Sequence, residues 1–285
     1  MAMGALSLAQ LRRCYAEELR ATAPVRQHEA VVKAFATVPR EAFFGKGPWS
    51  IIPPKQMSAR YMTPDADPRH LYHDVLIAID AEKGINNGEP GLWARLLDQI
   101  EIKRGARILQ VGAGTGYYSA ILAQLAGPKG RVIAVEYEAA LARAARRHLQ
   151  PWRQVKIVQG DGTRHGAGKV DAVIVFAGAT HPAPLWLTQL NDGGQLLMPL
   201  TGHNGWGIFL KVTRHGEAYA AESLGSCGFY PCVGARDDAA ARRLQQRMTG
   251  LHGRTAPIRS LHRGKPPLNT RNLWYAGPGF WLSRS

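Results

Sequence analysis

The stretch Ile108-Leu109-Gln110-Val111-Gly112-Ala113-Gly114-Thr115-Gly116-Tyr117 decides the fold of this chain. A short apolar run leads into a glycine-rich turn, and a segment with helical character follows it. In a doubly wound α/β sheet this junction binds a ligand, because glycine lets the ligand approach the backbone and the helix amides face it. A dinucleotide fingerprint requires its third glycine at position 117, whereas this chain has it at 116. The spacing therefore favours a nucleoside ligand without a pyrophosphate, such as S-adenosylmethionine.

Strand-like and helical runs alternate on both sides of the glycine-rich turn. Strand-like runs occupy 107–111, 131–135, 155–158, 171–176 and 195–200, and helical runs occupy 117–126 and 138–149. This alternation predicts a parallel sheet covered by helices. Two later runs, 207–213 and 217–224, leave no room for a helix between them and predict an antiparallel hairpin at the sheet edge. The predicted fold class is therefore α/β, with a doubly wound, mostly parallel Rossmann-like sheet.

The flanking segments divide the chain into three parts. Residues 6–20, 27–37 and 90–100 have helical spacing, whereas 45–80 reads as irregular and contains five prolines. We predict an N-terminal helical and irregular segment over 1–80 that faces the substrate. A cofactor-binding domain over 81–234 and a C-terminal extension over 235–285 follow it.

Composition excludes several classes of protein. The 285 residues are 45% hydrophobic and 20% charged, which is enough apolar sequence to build a core and excludes a wholly disordered chain. No repeat and no long apolar run is found, so neither a solenoid nor a membrane anchor is expected. The three cysteines are too few for a disulfide framework and favour the reducing cytoplasm. His70 and His73 are expected to be surface or packing residues, and no metal is expected.

The charge is strongly basic and unevenly distributed. The net charge is +15, and residues 235–285 hold ten Lys or Arg against two acids, a net of +8. This balance favours acidic partners, nucleic acid among them. The aromatic residues of the extension, Trp274, Tyr275, Phe280 and Trp281, suggest either base stacking or docking onto the main domain. We expect docking, with the arginines facing water, so nucleic acid is possible but not favoured.

Two carboxylates follow strands that neighbour the glycine-rich turn. Glu136 comes directly after the strand 131–135, where an acid can accept both ribose hydroxyls. Asp161 follows the strand 155–158 and is placed to accept the adenine amino group. The predicted cofactor-binding residues are Gln110, Gly112, Ala113, Gly114, Thr115, Gly116, Glu136, Tyr137, Asp161 and Gly162.

Further motifs resemble one family of S-adenosylmethionine-dependent methyltransferases. Residues 38–43, VPREAF, look like the V-P-R-x-x-F motif of the protein-L-isoaspartate O-methyltransferases. Residues 171–179, 192–200 and 229–234 are similar to that family's D-A-I-I-V-T-A-A, E-G-G-R-L-V-I-P-V and F-V-P-L-x-G runs. The resemblance covers roughly residues 28–234. It implies carboxyl O-methylation of isoaspartyl or related acidic residues in peptides and proteins.

Two departures from the family pattern concern the site. The family carries T-I-S-x-P before the helix that precedes the glycine-rich turn, and its serine hydroxyl lies at the acceptor site. Aligned on Pro90, this chain has Gly88 in place of that serine, and Gln110 replaces the usual acid before the turn. The resemblance thus assigns Asn87 and Gly88 to the catalytic acceptor motif. The expected substrate-binding residues are Tyr72, Asp74, Asn86 and His181.

Methyl transfer to a carboxylate makes modest demands on the protein. A carboxylate is ionised at neutral pH and needs no catalytic base, so alignment and exclusion of water suffice. Two alternatives remain open at this point. One is a methyltransferase for RNA or a small molecule, because the same fold serves many acceptors. The other is a non-catalytic cofactor-binding protein, suggested by Gly88 and Gln110.

Overall fold

The computed structural model describes residues 6–54, 56, 58–251 and 255–284 of the chain. Its helices are α1 (Leu8–Thr22), α2 (Glu29–Thr37), α3 (Pro90–Leu97), α4 (Tyr117–Ala126), α5 (Ala139–His148), α6 (Pro184–Thr188) and α7 (Asp238–Thr249). Its strands are β1 (Ser50–Ile52), β2 (Tyr61–Met62), β3 (Leu76–Asp80), β4 (Ile85–Asn86), β5 (Arg107–Val111), β6 (Arg131–Glu136), β7 (Val155–Gln159), β8 (Val170–Val175), β9 (Leu190–Thr201), β10 (Trp206–His215), β11 (Ala218–Gly228), β12 (Ser260–Arg263), β13 (Leu273–Gly277) and β14 (Phe280–Ser283). The predicted helices and strands are confirmed, with bounds that differ by a few residues.

Five parallel strands form one half of the main sheet. Across the described residues this sheet has ten strands in the order β13-β14-β12-β11-β10-β9-β8-β5-β6-β7. In the central strand β5, Leu109 lies opposite Ile133 of β6 and Val173 of β8. Apolar cores lie on both faces of the sheet, as expected for strands that read as continuous apolar runs. The carboxyl ends of β5, β6, β7 and β8 therefore meet along one edge, where a doubly wound sheet binds its ligand.

The other half of the sheet is antiparallel and contains the C-terminal extension. The predicted hairpin is β10 and β11, with His215 opposite Ala218. The prediction that this hairpin forms the sheet edge is wrong, because β12 pairs with β11 and then β14 and β13 continue the sheet. Strands β12, β13 and β14 were not predicted from the sequence because they are only four or five residues long and lie between prolines and basic residues.

The aromatic residues of the extension are part of the interior. Trp274, Tyr275, Phe280 and Trp281 are each exposed by 9% or less, whereas arginines such as Arg242, Arg263 and Arg271 are exposed. The expected docking of the extension onto the main domain is therefore confirmed. The stacking face that would favour nucleic acid is not presented to solvent.

The N-terminal segment packs on the helices that flank the glycine-rich turn. Helix α1 begins with a capping box between Ser7 and Gln10, and α1 and α2 pack together against α3 and α4. The stretch 45–80, predicted to be irregular, instead contains strands of a small antiparallel sheet in the order β2-β1-β3-β4. Its strands have two to five residues, too few for a periodic pattern to show in the sequence.

The buried guanidinium of Arg40 holds this small sheet to the rest of the molecule. Arg40 is fully buried, and its guanidinium donates to the carbonyl oxygens of Leu71, His73 and Val75 at 2.5 to 2.7 Å. The basic residue of the VPREAF motif is therefore a structural cation that orders the chain leading into β3. Within the described residues, no helix is long and apolar enough to cross a membrane.

Candidate active site

The glycine-rich turn is held in a shape that requires its glycines. The amides of Gly112 and Ala113 both donate to the carbonyl of Val135, at 2.8 and 3.2 Å, which ties the turn to β6. Gly112, Gly114 and Gly116 have φ values of 85°, 56° and 100°, in the left-handed region that favours glycine. A Cβ on Gly116 would also lie 2.7 Å from Cδ1 of Leu149, the residue that follows helix α5. At Gly114, by contrast, a Cβ would meet open space. The backbone there is accordingly open to a ligand.

A cavity of about 770 Å³ lies against this turn. Its volume falls in the range of roughly 300 to 1,000 Å³ that is usual for small-molecule sites. Eleven of the predicted site residues line it: Asn86, Asn87, Gly88, Gly112, Ala113, Gly114, Thr115, Glu136, Tyr137, Asp161 and Gly162. A second cavity, of about 850 Å³, lies beside the C-terminal extension, but none of the predicted site residues lines it. The first cavity is therefore the candidate active site.

Glu136 ends strand β6 with its carboxylate in the wall of the cavity. The side chain is 6% exposed and accepts hydrogen bonds from the backbone N–H groups of Gly114, at 2.7 Å, and Glu138, at 2.9 Å. Burial raises the pKa of Glu136, and the backbone hydrogen bonds act in the opposite direction. Each oxygen accepts one N–H and keeps further lone pairs for a ligand. This geometry suits a carboxylate that accepts two hydroxyl groups.

Asp161 lies on a tight turn after strand β7. One oxygen, Oδ1, accepts from the backbone N–H and the hydroxyl of Thr163 at 2.8 and 2.7 Å. The other, Oδ2, is 3.4 Å from the guanidinium of Arg164, whose side chain is 86% exposed. The next residue, Gly162, accepts from the indole N–H of Trp186 at 2.9 Å, which fixes the turn on the core. The turn thus holds a carboxylate rigidly at the cavity wall.

Comparison with known proteins places the chain in a family. Residues 15–237 match the family model of protein-L-isoaspartate(D-aspartate) O-methyltransferase. The protein-L-isoaspartate O-methyltransferase of Pyrobaculum neutrophilum is 33% identical over 73% of this chain and 92% of its own length. That of Ignicoccus hospitalis is 29% identical over 73% of this chain and 90% of its own length.

The chain belongs to the protein-L-isoaspartate O-methyltransferase family. The predicted methyltransferase activity and the predicted methyl donor, S-adenosylmethionine, are thereby confirmed.

Solved structures of protein-L-isoaspartate O-methyltransferases share the fold. One has a TM-score of 0.66 at 19% identity and covers 95% of this chain and 87% of its own. Another, from Plasmodium falciparum in complex with S-adenosyl-L-homocysteine, has a TM-score of 0.61 at 17% identity and covers 78% of this chain and 97% of its own. The predicted Rossmann-like α/β fold is confirmed. Because the first likeness covers 95% of the chain, it takes in most of the C-terminal extension.

Five of the predicted site residues do not line the methyltransferase cavity. Tyr72 is 2% exposed and donates its hydroxyl to Glu41 in the N-terminal core. Asp74 accepts from the backbone N–H of Gly91 at 2.6 Å, and burial raises its pKa. The half-buried His181 contacts the hydroxyl of Thr180 at 2.9 Å. Tyr72, Asp74 and His181 thus make hydrogen bonds outside this cavity, and their predicted contact with the substrate stays a prediction.

The other two, Gln110 and Gly116, support the glycine-rich turn from behind. Gln110 is fully buried, accepts from the hydroxyl of Ser119 at 2.6 Å and donates to the carbonyl of Gly112 at 3.3 Å. Gly116 caps the N-terminus of α4 in the left-handed conformation. Neither lines the cavity, and their predicted contact with the cofactor stays a prediction. Both hold the turn in place from positions outside the cavity wall.

Several aromatic residues of the cavity wall were not predicted from the sequence. Trp93, Tyr118 and Phe176 form its apolar part, with the rings of Trp93 and Phe176 stacked at 3.7 Å between centroids. Trp206 and Tyr230 also line the cavity and are 64% and 44% exposed, so they lie at its mouth. Trp93 is fully buried, as its position on helix α3 among apolar residues leads one to expect. Nothing in its spacing shows that its edge also faces a cavity.

Proposed function

We propose that this protein transfers a methyl group from S-adenosylmethionine to the side-chain carboxylate of isoaspartyl or D-aspartyl residues in peptides and proteins. The observation that carries the proposal is the convergence of three elements on one cavity. These are the glycine-rich turn, the two carboxylates that follow β6 and β7, and the segment Asn86-Asn87-Gly88. The family match supports the same acceptor class.

The residues present fit the cofactor. We assign the carboxylate of Glu136 to the ribose hydroxyls and that of Asp161 to the adenine amino group. The open backbone at Gly114 accommodates the nucleoside, since a Cβ there would meet nothing within 4 Å. When bound, S-adenosylmethionine supplies an electrophilic methyl carbon, which passes to the acceptor oxygen while the sulfur keeps the bonding electron pair.

The protein itself then has to bind the acceptor, align it with the methyl carbon and exclude water from the reacting atoms. An acceptor carboxylate is ionised at neutral pH, so no side chain has to remove a proton. The aromatic wall of Trp93, Tyr118 and Phe176 excludes water from the reacting atoms. The exposed Trp206 and Tyr230 at the mouth offer apolar area to a peptide chain. The net charge of +15 attracts acidic segments.

The proposal extends to organisation and location. The segment 1–80 forms part of the cavity wall through β3 and its surroundings, 81–234 holds the cofactor, and 235–285 completes the sheet. We place the protein in the reducing cytoplasm, a location supported by Cys14, Cys227 and Cys232 being free thiols.

A transfer assay with methyl-labelled S-adenosylmethionine tests the proposed acceptor. The acceptors are an isoaspartyl peptide, its D-aspartyl and ordinary L-aspartyl counterparts, and total RNA. We expect label in the first two peptides, in a form released as methanol by mild alkali, because methyl esters hydrolyse there. Label in RNA, with binding that weakens steeply as salt rises, would instead establish the RNA alternative. Binding of the cofactor with no transfer to any acceptor would establish the non-catalytic alternative.

A further inference from the structure

Two buried N–H donors of residues that line the cavity have no partner among the described residues, and the hydroxyl of Tyr117, which also lines it, has none either. Among the described residues, nothing accepts a hydrogen bond from the indole Nε1 of Trp93 or the side-chain Nδ2 of Asn87. Trp93 is fully buried, Asn87 is 9% exposed, and both line the cavity. Buried polar groups in native proteins are nearly always paired. Two orphan donors in one cavity wall therefore point to a ligand that brings hydrogen-bond acceptors.

The orientation of the Asn87 amide is fixed by its other end. Its Oδ1 accepts from the backbone N–H of Ile77 at 2.6 Å, so Nδ2 must be the end left over. The neighbouring backbone is also fixed, because Asn86 accepts from the N–H of Gly88 at 2.9 Å and Tyr118 donates to the Gly88 carbonyl at 3.1 Å. The Asn87 donor is thus presented by a rigid segment.

A side chain at position 88 would contact the indole ring of Trp93. Gly88 has a φ of 80°, and a Cβ built on it would lie 2.9 Å from Nε1 and 3.2 Å from Cδ1 of Trp93. A serine at position 88 would therefore crowd the indole N–H, whereas glycine leaves the space beside it free of a side chain. The ring itself is held by its stack on Phe176 and by edge contacts with Phe209 and Phe229.

This part of the wall adjoins the mouth of the cavity. Phe229, whose ring centroid is 6.0 Å from that of Trp93, precedes the exposed Tyr230. The Tyr230 hydroxyl lies 2.9 Å from the place where a Cβ on Gly84 would be, just before strand β4.

We propose that the indole N–H of Trp93 and the amide NH₂ of Asn87 together bind the acceptor carboxylate, in place of the serine hydroxyl of the family pattern. Both groups are donors at these atoms, so they select an anionic or carbonyl oxygen and reject a cation. A carboxylate has about four lone-pair sites, so it can accept from both donors and still direct one lone pair at the methyl carbon. The inference rests on the proposed function and names the groups that hold its substrate.

Matched substitutions test the donor pair in the full-length protein. Trp93→Phe removes the N–H and keeps an aromatic ring. Asn87→Asp keeps the oxygen that Ile77 needs and replaces the donor with a second acceptor. A hydrogen bond to a charged group corresponds to roughly a 10- to 100-fold effect. We expect each variant to lower kcat/KM for an isoaspartyl peptide by at least about tenfold, mainly through KM. Trp274→Phe, a buried tryptophan of the extension, is the control and should leave kcat/KM unchanged.

The affinity for S-adenosylhomocysteine distinguishes two sources of the carboxylate, because the cofactor's methionine part also carries one. If the donors hold the acceptor, the Kd for S-adenosylhomocysteine stays within about twofold in both variants, since no cofactor hydrogen bond is lost. A Kd that rises tenfold while the peptide KM is unchanged would assign the donors to the cofactor and overturn the proposal.

A spectroscopic measurement on the unmodified protein avoids any question of misfolded variants. In ¹⁵N-tryptophan-labelled protein saturated with S-adenosylhomocysteine, the indole signal absent from Trp93→Phe should move downfield when isoaspartyl peptide is added. If the signal does not move, although the same preparation methylates the peptide when it is supplied with S-adenosylmethionine instead, the donor pair alone is refuted. A wild-type protein that neither binds nor methylates the peptide refutes the proposed function, and the inference falls with it.

Discussion

Glu136→Gln is expected to weaken the binding of S-adenosylhomocysteine by at least about 30-fold. The carboxylate accepts N–H groups of Gly114 and Glu138 on its two oxygens, and we assign its remaining lone pairs to the ribose hydroxyls. Glutamine keeps one oxygen and replaces the other with an NH₂ group. That group cannot accept from the backbone N–H it faces or from a ribose hydroxyl, so the substitution removes one ligand hydrogen bond and weakens the other.

The magnitude follows from the charge of the acceptor. A hydrogen bond to a charged group contributes about 1.5 to 3 kcal/mol, against about 1 kcal/mol for a neutral one. Losing one charged bond and reducing the other to a neutral bond therefore costs at least about 2 kcal/mol of binding free energy. At a ligand concentration of 100 Kd the wild type gains about 2.7 kcal/mol of stability, and the variant should gain less than about 1 kcal/mol at the same concentration.

Isothermal titration calorimetry and ligand-dependent thermal unfolding measure the two quantities. Glu222→Gln is the matched control, because Glu222 is a half-exposed residue of β11 that pairs with Lys211 of β10 at 3.1 Å and is not part of the cavity wall. It should bind S-adenosylhomocysteine as the wild type does. If Glu136→Gln binds within twofold of the wild type, the carboxylate does not hold the ribose and the assignment of the cavity to the nucleoside is refuted.

The remaining predictions concern pH, the second carboxylate and the fold. Because burial raises the pKa of Glu136 and hydroxyl donors favour its ionised form, S-adenosylhomocysteine should bind more weakly as pH falls through that raised pKa, above the usual 4.5. The folding stability of the ligand-free protein has the opposite pH dependence, because the stability contributed by protonated Glu136 is lost as pH rises through the same pKa. Calorimetric titration with the ligand and urea unfolding without it measure the two effects, and Glu136→Gln should show neither. Asp161→Asn should weaken S-adenosylhomocysteine about tenfold without changing the KM for peptide, and an unchanged Kd would remove the adenine assignment. Arg40→Met should lower the free energy of unfolding by about 3 kcal/mol, because three buried carbonyls lose a charged donor; a urea midpoint equal to that of the wild type would contradict this. Phe280→Ala should cost about 3 to 5 kcal/mol and leave one cooperative transition, whereas a separate early transition would show that the extension folds independently.

Local pattern was sufficient to predict the parallel half of the sheet. The strands on either side of the glycine-rich turn are continuous apolar runs, and the turn itself has a fixed spacing, so both are visible in a short window of sequence. Glu136 and Asp161 were found for the same reason, since each directly follows such a strand. Topology then forces their side chains to one edge of the sheet.

The rest depended on contacts between distant segments. Strands β1 to β4 and β12 to β14 are too short to show a period, and they exist because neighbouring strands offer free edges to pair with. Tyr72 and Asp74 are polar residues in a loop-like stretch, which is typical of a substrate wall, yet their hydrogen bonds go to Glu41 and Gly91. Trp93 has the spacing of a core residue and is buried. Its indole N–H has no partner among the described residues, and the space beside it is free of a side chain because residue 88 is glycine.

The two departures from the family pattern are Gln110 and Gly88, and at each of them a neighbouring group is arranged to suit the changed residue. An acid at position 110 would be fully buried and would face the carbonyl of Gly112, to which the glutamine amide donates. The glutamine oxygen in turn accepts from Ser119, so the exchange of acid for amide leaves no polar atom of that side chain unpaired. At position 88 the lost hydroxyl coincides with a space beside the buried indole N–H of Trp93 that a Cβ would fill. In a protein that had lost its activity, substitutions would accumulate without matching changes around them and would place side chains inside the cavity. Here the cavity is kept, and two buried N–H donors of residues that line it lack a partner among the described residues, which is the arrangement expected of an enzyme that binds its substrate by a different hydrogen-bond donor.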